Sequence, residues 1–285
     1  MIVVTGASGQ LGRLVIQGLL EKLPAAQIVA AVRDPAKGDY FAALGVQVRQ
    51  ADYDQPQSLE RAFAGAEKVL LISSSEVGKR APQHLAAIAA ARKAGVKLLA
   101  YTSLLHADRS PLGLAGEHRD TEAALADSGV PHVLLRNGWY SENYTAGVPV
   151  ALQLGALYGC AGEGRIASAG RADYAAAAVA VLTAEQAQAG RVYELAGDTP
   201  YSLAELAAEI SRQTGKSIPY KDLPQADYQA ALQGVGLPDW LAAMLADSDA
   251  GASRGALFDD SRQLGRLIGR PTLTLANAVA QQLRG

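Results

Sequence analysis

The sequence predicts a doubly wound α/β fold, in which helices cover both faces of a parallel sheet. Short runs of β-branched residues and leucine alternate with longer alanine-rich stretches of helical period. The apolar runs are continuous rather than alternating, which is typical of strands buried on both faces. A glycine-rich turn at residues 6–12 follows the first of these runs and opens the first helical stretch.

Seven strands and seven helices are predicted in order along the chain. The strands are IVVT (2–5), QIVAAVR (27–33), VQVRQ (46–50), KVLLIS (68–73), KLLAYTS (97–103), HVLLRN (132–137) and RVYELAG (191–197). The helices are 10–23, 36–44, 57–64, 80–94, 117–128, 173–184 and 202–214. After about residue 138 the alternation loosens, and from residue 222 onward the pattern predicts helices and loops alone.

Composition and charge limit the class of partner. The chain has 285 residues, 49% of them hydrophobic, which is enough for one large domain or two coupled ones. Its 26 basic and 28 acidic residues give a net charge of −2 without a block of one sign, which disfavours nucleic acid and anionic membranes. Cys160 is the only cysteine, Met1 leads directly into a strand-like run, and no apolar stretch reaches the roughly 18 residues of a membrane helix. We therefore expect a cytoplasmic protein with a small-molecule partner.

Three glycines spaced by three residues mark the turn after the first predicted strand. Gly6 suits the tight turn, Gly9 lets the backbone approach a bound pyrophosphate, and Gly12 lets the first helix pack closely on the sheet. The N-terminus of that helix would face the phosphate charge. Such a triplet also fits a plain turn, but its position between a strand and a helix favours a dinucleotide-binding (Rossmann) site.

The end of the second predicted strand distinguishes NADP from NAD. An acid there accepts a hydrogen bond from the ribose 2′-hydroxyl of NAD, whereas an arginine binds the 2′-phosphate of NADP. Arg33 ends the strand, and Arg13 could add a second positive charge. Asp34 is also a candidate N-cap for helix 36–44. We expect NADPH to be preferred and NADH tolerated; the plainer alternative for Arg33 is a solvated charge at the strand end.

Two regions are expected from this pattern. Residues 1–138 are predicted to form the NADP-binding domain, and residues 139–285 a smaller, mainly helical region that caps the substrate. About 165–197 of the second region is expected to return to the sheet. The acidic segments at 245–251 and 257–261 indicate loops and N-caps near the mouth of the cleft.

The chain resembles the extended and atypical short-chain dehydrogenase/reductases, and within them the NmrA-like group. The spacing Gly6-x-x-Gly9-x-x-Gly12 at the N-terminus is similar to theirs. Four further stretches resemble the bacterial NAD(P)H:quinone oxidoreductases of that group: LLISSSEVGKRAPQH (70–84), AYTSLLHADRSPLGLA (100–115), LLRNGWYSENY (134–144) and LADSDAGASRGALFDDS (245–261). The resemblance covers the whole length and implies an NADPH-dependent reductase that transfers a hydride to a quinone.

The resemblance also implies which residues bind the cofactor. These are the phosphate-loop residues Gly6, Ala7, Ser8, Gly9, Gln10, Leu11 and Gly12, then Arg33 for the 2′-phosphate, and Ser73, Ser74 and Ser75 beside the ribose and nicotinamide. Asn137, Gly138, Trp139, Tyr140, Ser141 and Glu142 would wall the nicotinamide pocket, and Ala169, Gly170, Arg171, Ala172 and Asp173 would close over it. Gly170 stands where the family pattern has threonine, so only a backbone contact is expected there.

No sequence motif identifies the proton donor of the site. No tyrosine has lysine four residues on, so the Tyr-x-x-x-Lys pair of ordinary short-chain dehydrogenases is absent. Related reductases carry a lysine near the start of the fifth helix, where this chain offers His118, although a partly exposed helical histidine is more often simply solvated. A quinone needs only positioning and hydrogen-bond donors. The candidates for those donors, or for packing on a ring, are Tyr101, Tyr140, Asn143 and Tyr144.

Several alternatives stay open at this stage. The second function considered is a nucleotide-sensing redox regulator of the NmrA type, which binds the dinucleotide without turnover. A sugar epimerase or dehydratase ranks last, because it also needs the missing tyrosine–lysine pair. The four histidines show no metal-ligand spacing, His84 is interpreted as structural, and Trp139 either stacks on a ligand or packs against the cap. A homodimer is left open.

Overall fold

The computed structural model describes residues 1–284. The strands are β1 (Ile2–Val4), β2 (Ile28–Val32), β3 (Gln47–Gln50), β4 (Lys68–Leu71), β5 (Leu98–Leu104), β6 (His132–Asn137), β7 (Leu157–Gly159), β8 (Val192–Leu195) and β9 (Tyr220–Asp222). The helices are α1 (Gln10–Leu20), α2 (Asp39–Ala43), α3 (Pro56–Phe63), α4 (Arg80–Lys93), α5 (Ala115–Ser128), α6 (Ser141–Thr145), α7 (Val148–Leu154), α8 (Arg171–Thr183), α9 (Leu203–Thr214), α10 (Gln225–Gly234), α11 (Asp239–Ala252), α12 (Gln263–Ile268) and α13 (Leu275–Arg284). Of the helices described, none is long and apolar enough to span a membrane.

A seven-stranded sheet carries the fold, in the order β3-β2-β1-β4-β5-β6-β8. Each neighbouring pair from β3 to β6 is parallel, and Val3 of β1 pairs with both Val29 and Val69. The strand order reverses between β1 and β4, and ligands of open α/β sheets bind in the crevice at such a reversal. The predicted doubly wound fold is confirmed, and its reversal point lies where the glycine-rich turn begins.

The chain divides into two compact units. Unit 1 comprises Met1–Ala107, Gly116–Asn137 and Arg171–Tyr193; unit 2 comprises Asp108–Ala115, Gly138–Gly170 and the chain from Glu194 onward. Residues 108–115, which the sequence places in the first region, thus belong to unit 2. Whether the units act as a cofactor domain and a substrate cap stays a prediction, because compactness does not report on function.

Apolar burial on the sheet faces holds unit 1 together. On one face Leu59 of α3, Ile88 of α4 and Leu125 of α5 are buried in a single cluster with strand residues such as Val3 and Leu99. The helices α1 and α8 also pack against one another. Because successive strand residues point to opposite faces, burial of both faces explains the continuous apolar runs of the sequence.

The hydroxyl of Thr5 joins β1 to β4 immediately before the chain turns. Thr5 Oγ1 donates to Leu70 O at 3.0 Å and accepts from Ile72 N–H at 3.0 Å. The hydroxyl of Tyr53 lies 2.6 Å from Thr5 Oγ1 and 2.7 Å from Ile72 O. Thr5 is buried, and its three contacts fix the spacing of the two strands at the edge where the crevice opens.

The turn from β1 into α1 needs glycine at two positions for different reasons. Gly6 has φ +57°, in the left-handed region that favours glycine. A Cβ on Gly12 would lie 2.5 Å from Gly6 O and 2.7 Å from Ala7 Cα, both of them rigid backbone atoms. Gly12 therefore has no room for a side chain against the turn, while its predicted role in packing the helix on the sheet stays a prediction.

Several predicted boundaries are wrong for local reasons. The predicted helix 36–44 is a 3₁₀ turn over Pro35–Gly38 followed by the short α2, because Asp34 caps the turn through Ala36 N–H and Pro35 starts it. The predicted loop at 245–251 is part of α11. The pattern also missed α6, α7 and the two three-residue strands β7 and β9, which pair in parallel in unit 2. Elements this short leave too little periodicity to be detected.

In unit 2 the strongest local signal is the start of α9. Ser202 accepts from Glu205 N–H at 3.2 Å, and the Glu205 side chain accepts from Ser202 N–H at 2.7 Å. This reciprocal capping box provides acceptors for two backbone N–H groups that have no partner within the helix. The helix ends at Gly215 in the left-handed conformation.

We expect Gly12→Ala to lower the free energy of unfolding by about 1–3 kcal/mol, because the added methyl group collides with backbone that cannot move alone. Gly116→Ala is the matched control. Gly116 lies in α5, and a Cβ there meets no heavy atom within 4 Å, so alanine is expected to be neutral or stabilising by up to about 1 kcal/mol. Urea unfolding of both variants measures the difference, and equal effects would contradict the packing role of Gly12.

Candidate functional site

The turn after β1 presents backbone amides at the start of a helix. Gly6, Gly9 and Gln10 are exposed, whereas Ala7 is buried and its N–H donates to Ala31 O at 3.2 Å. No side chain caps the first turn of α1, and that turn contains no acidic residue. The first N–H groups of a helix have no partner within the helix and carry partial positive charge. This end of α1 therefore suits a phosphate group, as the glycine spacing predicts.

Arg33 and Asp34 differ in how they are held. Asp34 Oδ1 accepts from Ala36 N–H at 3.1 Å and so caps the 3₁₀ turn, which confirms its predicted capping role. The side chain of Arg33 is 69% exposed, and its Nη1 lies 2.8 Å from Oε1 of Glu76. The sequence analysis did not single out Glu76. Arg13, proposed as a second cation, donates through Nε to Ser8 O at 3.0 Å, within the glycine-rich turn.

The serine segment after β4 is shaped by side chains behind it. Ser73 N–H donates to Thr102 Oγ1 at 2.9 Å, and Ser74 N–H donates to His84 Nε2 at 2.9 Å. The carbonyl of Ser74 accepts from Arg80 Nε, and its hydroxyl accepts from Glu76 N–H. Each of these bonds fixes a backbone atom of the segment or of the residue near it. The segment is therefore pre-shaped before any ligand arrives.

A buried network of two histidines supports this segment. His84 Nε2 accepts from Ser74, so its Nδ1 carries the hydrogen and donates to Thr121 Oγ1 at 2.9 Å. Arg80 Nη1, which can only donate, lies 3.5 Å from Nε2 of His118. We therefore assign the hydrogen of His118 to Nδ1, which donates to the Tyr101 hydroxyl at 2.8 Å.

Burial keeps both histidines neutral. Loss of solvent, with a smaller contribution from the charge of Arg80, lowers the pKa of His84 to about 4 and that of His118 to about 3. Burial also raises the pKa of Tyr101 far above its ordinary value. The expectation that His118 is partly exposed is wrong, since only 5% of it is accessible. The interpretation of His84 as structural fits its buried contacts.

At the end of β6, a buried amide oxygen is without a hydrogen bond. Asn137 is 5% exposed, and its Oδ1 has no partner within residues 1–284. An unsatisfied buried acceptor costs about 1–3 kcal/mol, so such an atom at the carboxyl edge of a parallel sheet suits a donor from a ligand. The predicted cofactor residue Asn137 thus fits a dinucleotide on its own chemistry.

In unit 2 the backbone brings two predicted wall segments together. Tyr140 and Ala169 form a parallel bridge, with Ser141 N–H donating to Ala169 O at 2.9 Å and Ala169 N–H donating to Trp139 O at 3.2 Å. The Ser168 hydroxyl lies 2.9 Å from that of Ser141 and 2.8 Å from that of Tyr201. Trp139 is buried and Tyr140 partly exposed. Backbone pairing therefore fixes the position of Tyr140, the residue directly before the short helix α6.

A buried carboxylate holds the other end of α6. The Tyr144 hydroxyl donates to Asp249 Oδ1 at 2.9 Å, and Cys160 N–H donates to Asp249 Oδ2 at 3.3 Å. Burial raises the pKa of Asp249 to about 6, although both hydrogen bonds oppose this. Asp249 was expected in a loop; it lies inside α11, where its helix fixes it toward Tyr144.

Comparison with known proteins decides the family. A family model described as NAD(P)H-binding matches residues 6–185. The chain is 61% identical to quinone oxidoreductase 2 of Escherichia coli K12 over 280 residues, 98% of each chain. The chain belongs to the NAD(P)H-binding family. Membership confirms the resemblance drawn from the glycine spacing and the four longer stretches.

Two solved structures match this member of the NAD(P)H-binding family over nearly its whole length. It matches the NADPH complex of the E. coli NADPH-dependent quinone oxidoreductase with a TM-score of 0.97 and 60% identity, covering 99% of this chain and 100% of that one. It also matches the Citrobacter triphenylmethane reductase complexed with NADP(H), with a TM-score of 0.96, 38% identity and the same coverage.

The predicted site residues of this NAD(P)H-binding protein fall into separate groups. Unit 1 holds the glycine turn, Arg33, the serine segment, Asn137, Tyr101 and His118, together with Arg171, Ala172 and Asp173 in the first turn of α8. Unit 2 holds the wall segment 138–142, Asn143, Ala169 and Gly170. The structure brings Tyr101 to His118, and Trp139 and Tyr140 to Ala169. The assigned roles stay predictions.

Sequence reasoning missed the residues that support the site from behind. Thr5, Tyr53, Glu76, Arg80 and Asp249 make the contacts described above; the last three lie in stretches quoted for the resemblance, but none of the five was named as a site residue. One signal was available: Arg80 and His84 are spaced i, i+4 directly after the serine segment, so they share one face of a helix that starts there.

We expect His118→Gln to weaken the pH dependence of stability. Because the folded pKa of about 3 lies below the unfolded value of about 6.5, the contribution is present above pH 6.5 and is lost as pH falls. From pH 7 to pH 5 the wild type should lose about 2 kcal/mol at this residue, and the variant should not. Urea unfolding at both pH values measures this loss. A wild-type slope in His118→Gln would refute the buried neutral state.

Proposed function

We propose that this chain is an NADPH-dependent reductase that transfers a hydride from the nicotinamide to a quinone or a similarly conjugated electrophile. The observation that carries the proposal is the near-full-length similarity to quinone oxidoreductase 2 of E. coli, at 61% identity. The second match, to a triphenylmethane reductase complexed with NADP(H), supports hydride transfer to a conjugated acceptor of another kind. The non-catalytic NmrA-type regulator is not favoured.

The residues present fit a bound NADPH. The amides at the start of α1 would hold the pyrophosphate, because the turn leaves them exposed and free of acidic neighbours. Arg33 would bind the 2′-phosphate, since a guanidinium pairs well with phosphate. Asn137 would supply an acceptor beside the nicotinamide end. When bound, the reduced nicotinamide supplies the hydride.

The remaining residues position the acceptor and stabilise the charge it gains. A reduced quinone spreads its negative charge over oxygen and ring, so solvent can protonate it without a dedicated acid. Tyr140 and Asn143, at the start of α6, are proposed as the hydrogen-bond donors to that oxygen. Tyr144, also in α6, donates to Asp249 of α11 and would brace α6 through that hydrogen bond.

Tyr101 and His118 are proposed to act as a pair rather than as separate acids. His118 is neutral near pH 7 and donates its hydrogen to the Tyr101 hydroxyl, which also has a side-chain hydrogen bond to Thr121. Tyr101 is fully buried within unit 1. The role of Tyr101 would be to keep the serine segment in a fixed position relative to the nicotinamide end of the cofactor.

The setting of the enzyme is also proposed. We place it in the cytoplasm, with a small quinone as its partner and neither nucleic acid nor membrane. The near-neutral charge balance supports this choice of partner. A homodimer is the assembly considered, and sedimentation of the purified protein would test it.

Purified protein should oxidise NADPH when a benzoquinone or naphthoquinone is added. Absorbance of the reduced cofactor at varied quinone concentration should show saturation, and NADH at the same concentration should react more slowly. The control is NADPH without quinone. Tight NADPH binding with no turnover on any quinone would refute the reductase and favour the regulator.

Arg33→Ala should weaken NADPH binding by about 10- to 100-fold, the loss expected for a charge-assisted contact of about 1.5–3 kcal/mol, and should leave NADH binding nearly unchanged. Titration calorimetry with each dinucleotide measures both constants. Arg61→Ala removes an exposed arginine from α3 and serves as the control with equal change in net charge. Equal losses for NADPH and NADH would remove Arg33 from the 2′-phosphate.

A further inference from the structure

The arginine proposed for the 2′-phosphate already faces a carboxylate of its own chain. Arg33 Nη1 and Glu76 Oε1 are 2.8 Å apart, a close ion pair. A carboxylate and a phosphate present oxygen acceptors of the same kind to a guanidinium, so they compete for the same donors. Asp34 does not enter this competition, because it caps the 3₁₀ turn through Ala36.

Glu76 is anchored independently of Arg33. Its Oε2 lies 3.4 Å from Lys79 Nζ and 3.4 Å from Gln83 Nε2. Its backbone N–H donates to Ser74 Oγ. Gln83 is buried and also donates to Asp54 Oδ1 at 3.0 Å. The Glu76 carboxylate therefore has contacts through its second oxygen that do not involve the arginine.

Arg33 is the more exposed partner of the pair. Its side chain is 69% exposed, against 32% for Glu76, and Glu76 is the residue within hydrogen-bond distance of its guanidinium. An arginine with so much accessible surface can turn between two acceptors at little cost. An ion pair of such exposure is worth a factor of only about 1.5 to 5 in an equilibrium, which a doubly charged phosphate can exceed.

We propose that Glu76 competes with the 2′-phosphate of NADPH for Arg33, and so determines how strongly the enzyme prefers NADPH over NADH. The inference rests on the proposed function. NADPH must displace the Glu76 carboxylate from Arg33, which lowers its affinity. NADH has no 2′-phosphate, so Arg33 stays neutralised by Glu76 and no uncompensated charge opposes NADH. This competition is the reason why we expect NADH to be tolerated.

The test is Glu76→Gln, which keeps the shape of the side chain and removes its charge. Titration calorimetry should show that NADPH binds about two- to fivefold more tightly than to the wild type, while NADH binding changes by less than about 1.5-fold. Glu67→Gln is the matched control. Glu67 is an exposed carboxylate that pairs with Lys97 at 3.0 Å, and its replacement changes the net charge equally. It should alter neither constant.

The same substitution in an Arg33→Ala background separates competition from simple repulsion. If Glu76 acts through Arg33, Glu76→Gln should change NADPH affinity by less than about 1.5-fold in that background. Persistent tightening there would overturn the proposal, because it would mean direct repulsion between the carboxylate and the phosphate. Weaker NADPH binding in Glu76→Gln alone would also overturn it, since Glu76 would then orient Arg33 for the phosphate. Equal tightening of both dinucleotides would do the same.

Failure of this inference is distinguishable from failure of the proposed function. A wild-type protein that binds neither dinucleotide, or binds NADPH without reducing any quinone, removes the proposed function. If the wild type binds NADPH and reduces quinones, but Glu76→Gln leaves the ratio of NADPH to NADH affinity unchanged, only the proposed role of Glu76 is refuted.

Discussion

One buried hydroxyl sets the geometry on which the candidate site depends. Thr5 Oγ1 is hydrogen-bonded to Leu70 of β4 and to Ile72, the residue directly after β4. The hydroxyl of Tyr53 also contacts Thr5 Oγ1. The residue after Thr5 begins the glycine turn, and the residue after Ile72 begins the serine segment. Both loops proposed to hold the cofactor therefore leave the sheet from one fixed point. A small hydroxyl suits this place because it bonds to two backbone groups without separating the strands.

The loops of the candidate site are hydrogen-bonded to side chains behind them, most of which are buried. His84, Arg80 and Thr102 hold backbone atoms of the serine segment from within unit 1. In unit 2, Ser168 and Asp249 hold α6 through the hydroxyls of Ser141 and Tyr144. Pre-shaped backbone lowers the entropy that a ligand must remove on binding. It also leaves the exposed side chains, such as Arg33, as the adjustable part.

The sequence predicted most of the sheet because its physical signal is local. Continuous apolar runs identify β1, β2 and β4 to β6, and the glycine spacing locates the crevice, since both follow from backbone geometry over a few residues. Contacts set by tertiary packing were not predictable. Glu76 meets Arg33 across 43 positions, Tyr144 meets Asp249 across 105, and an acidic stretch inside α11 has the composition of a loop. His118 was misjudged for the same reason, because burial depends on what packs over a helix.

Proton binding at Asp249 is coupled to folding. Its folded pKa of about 6 exceeds the unfolded value of about 3.9, so the folded unit binds a proton more tightly than the unfolded chain does. This contribution to stability is present below about pH 4 and is lost as pH rises through 6. The buried histidines give unit 1 the opposite response. Mild acid therefore stabilises the folded chain at Asp249 and destabilises it at His84 and His118.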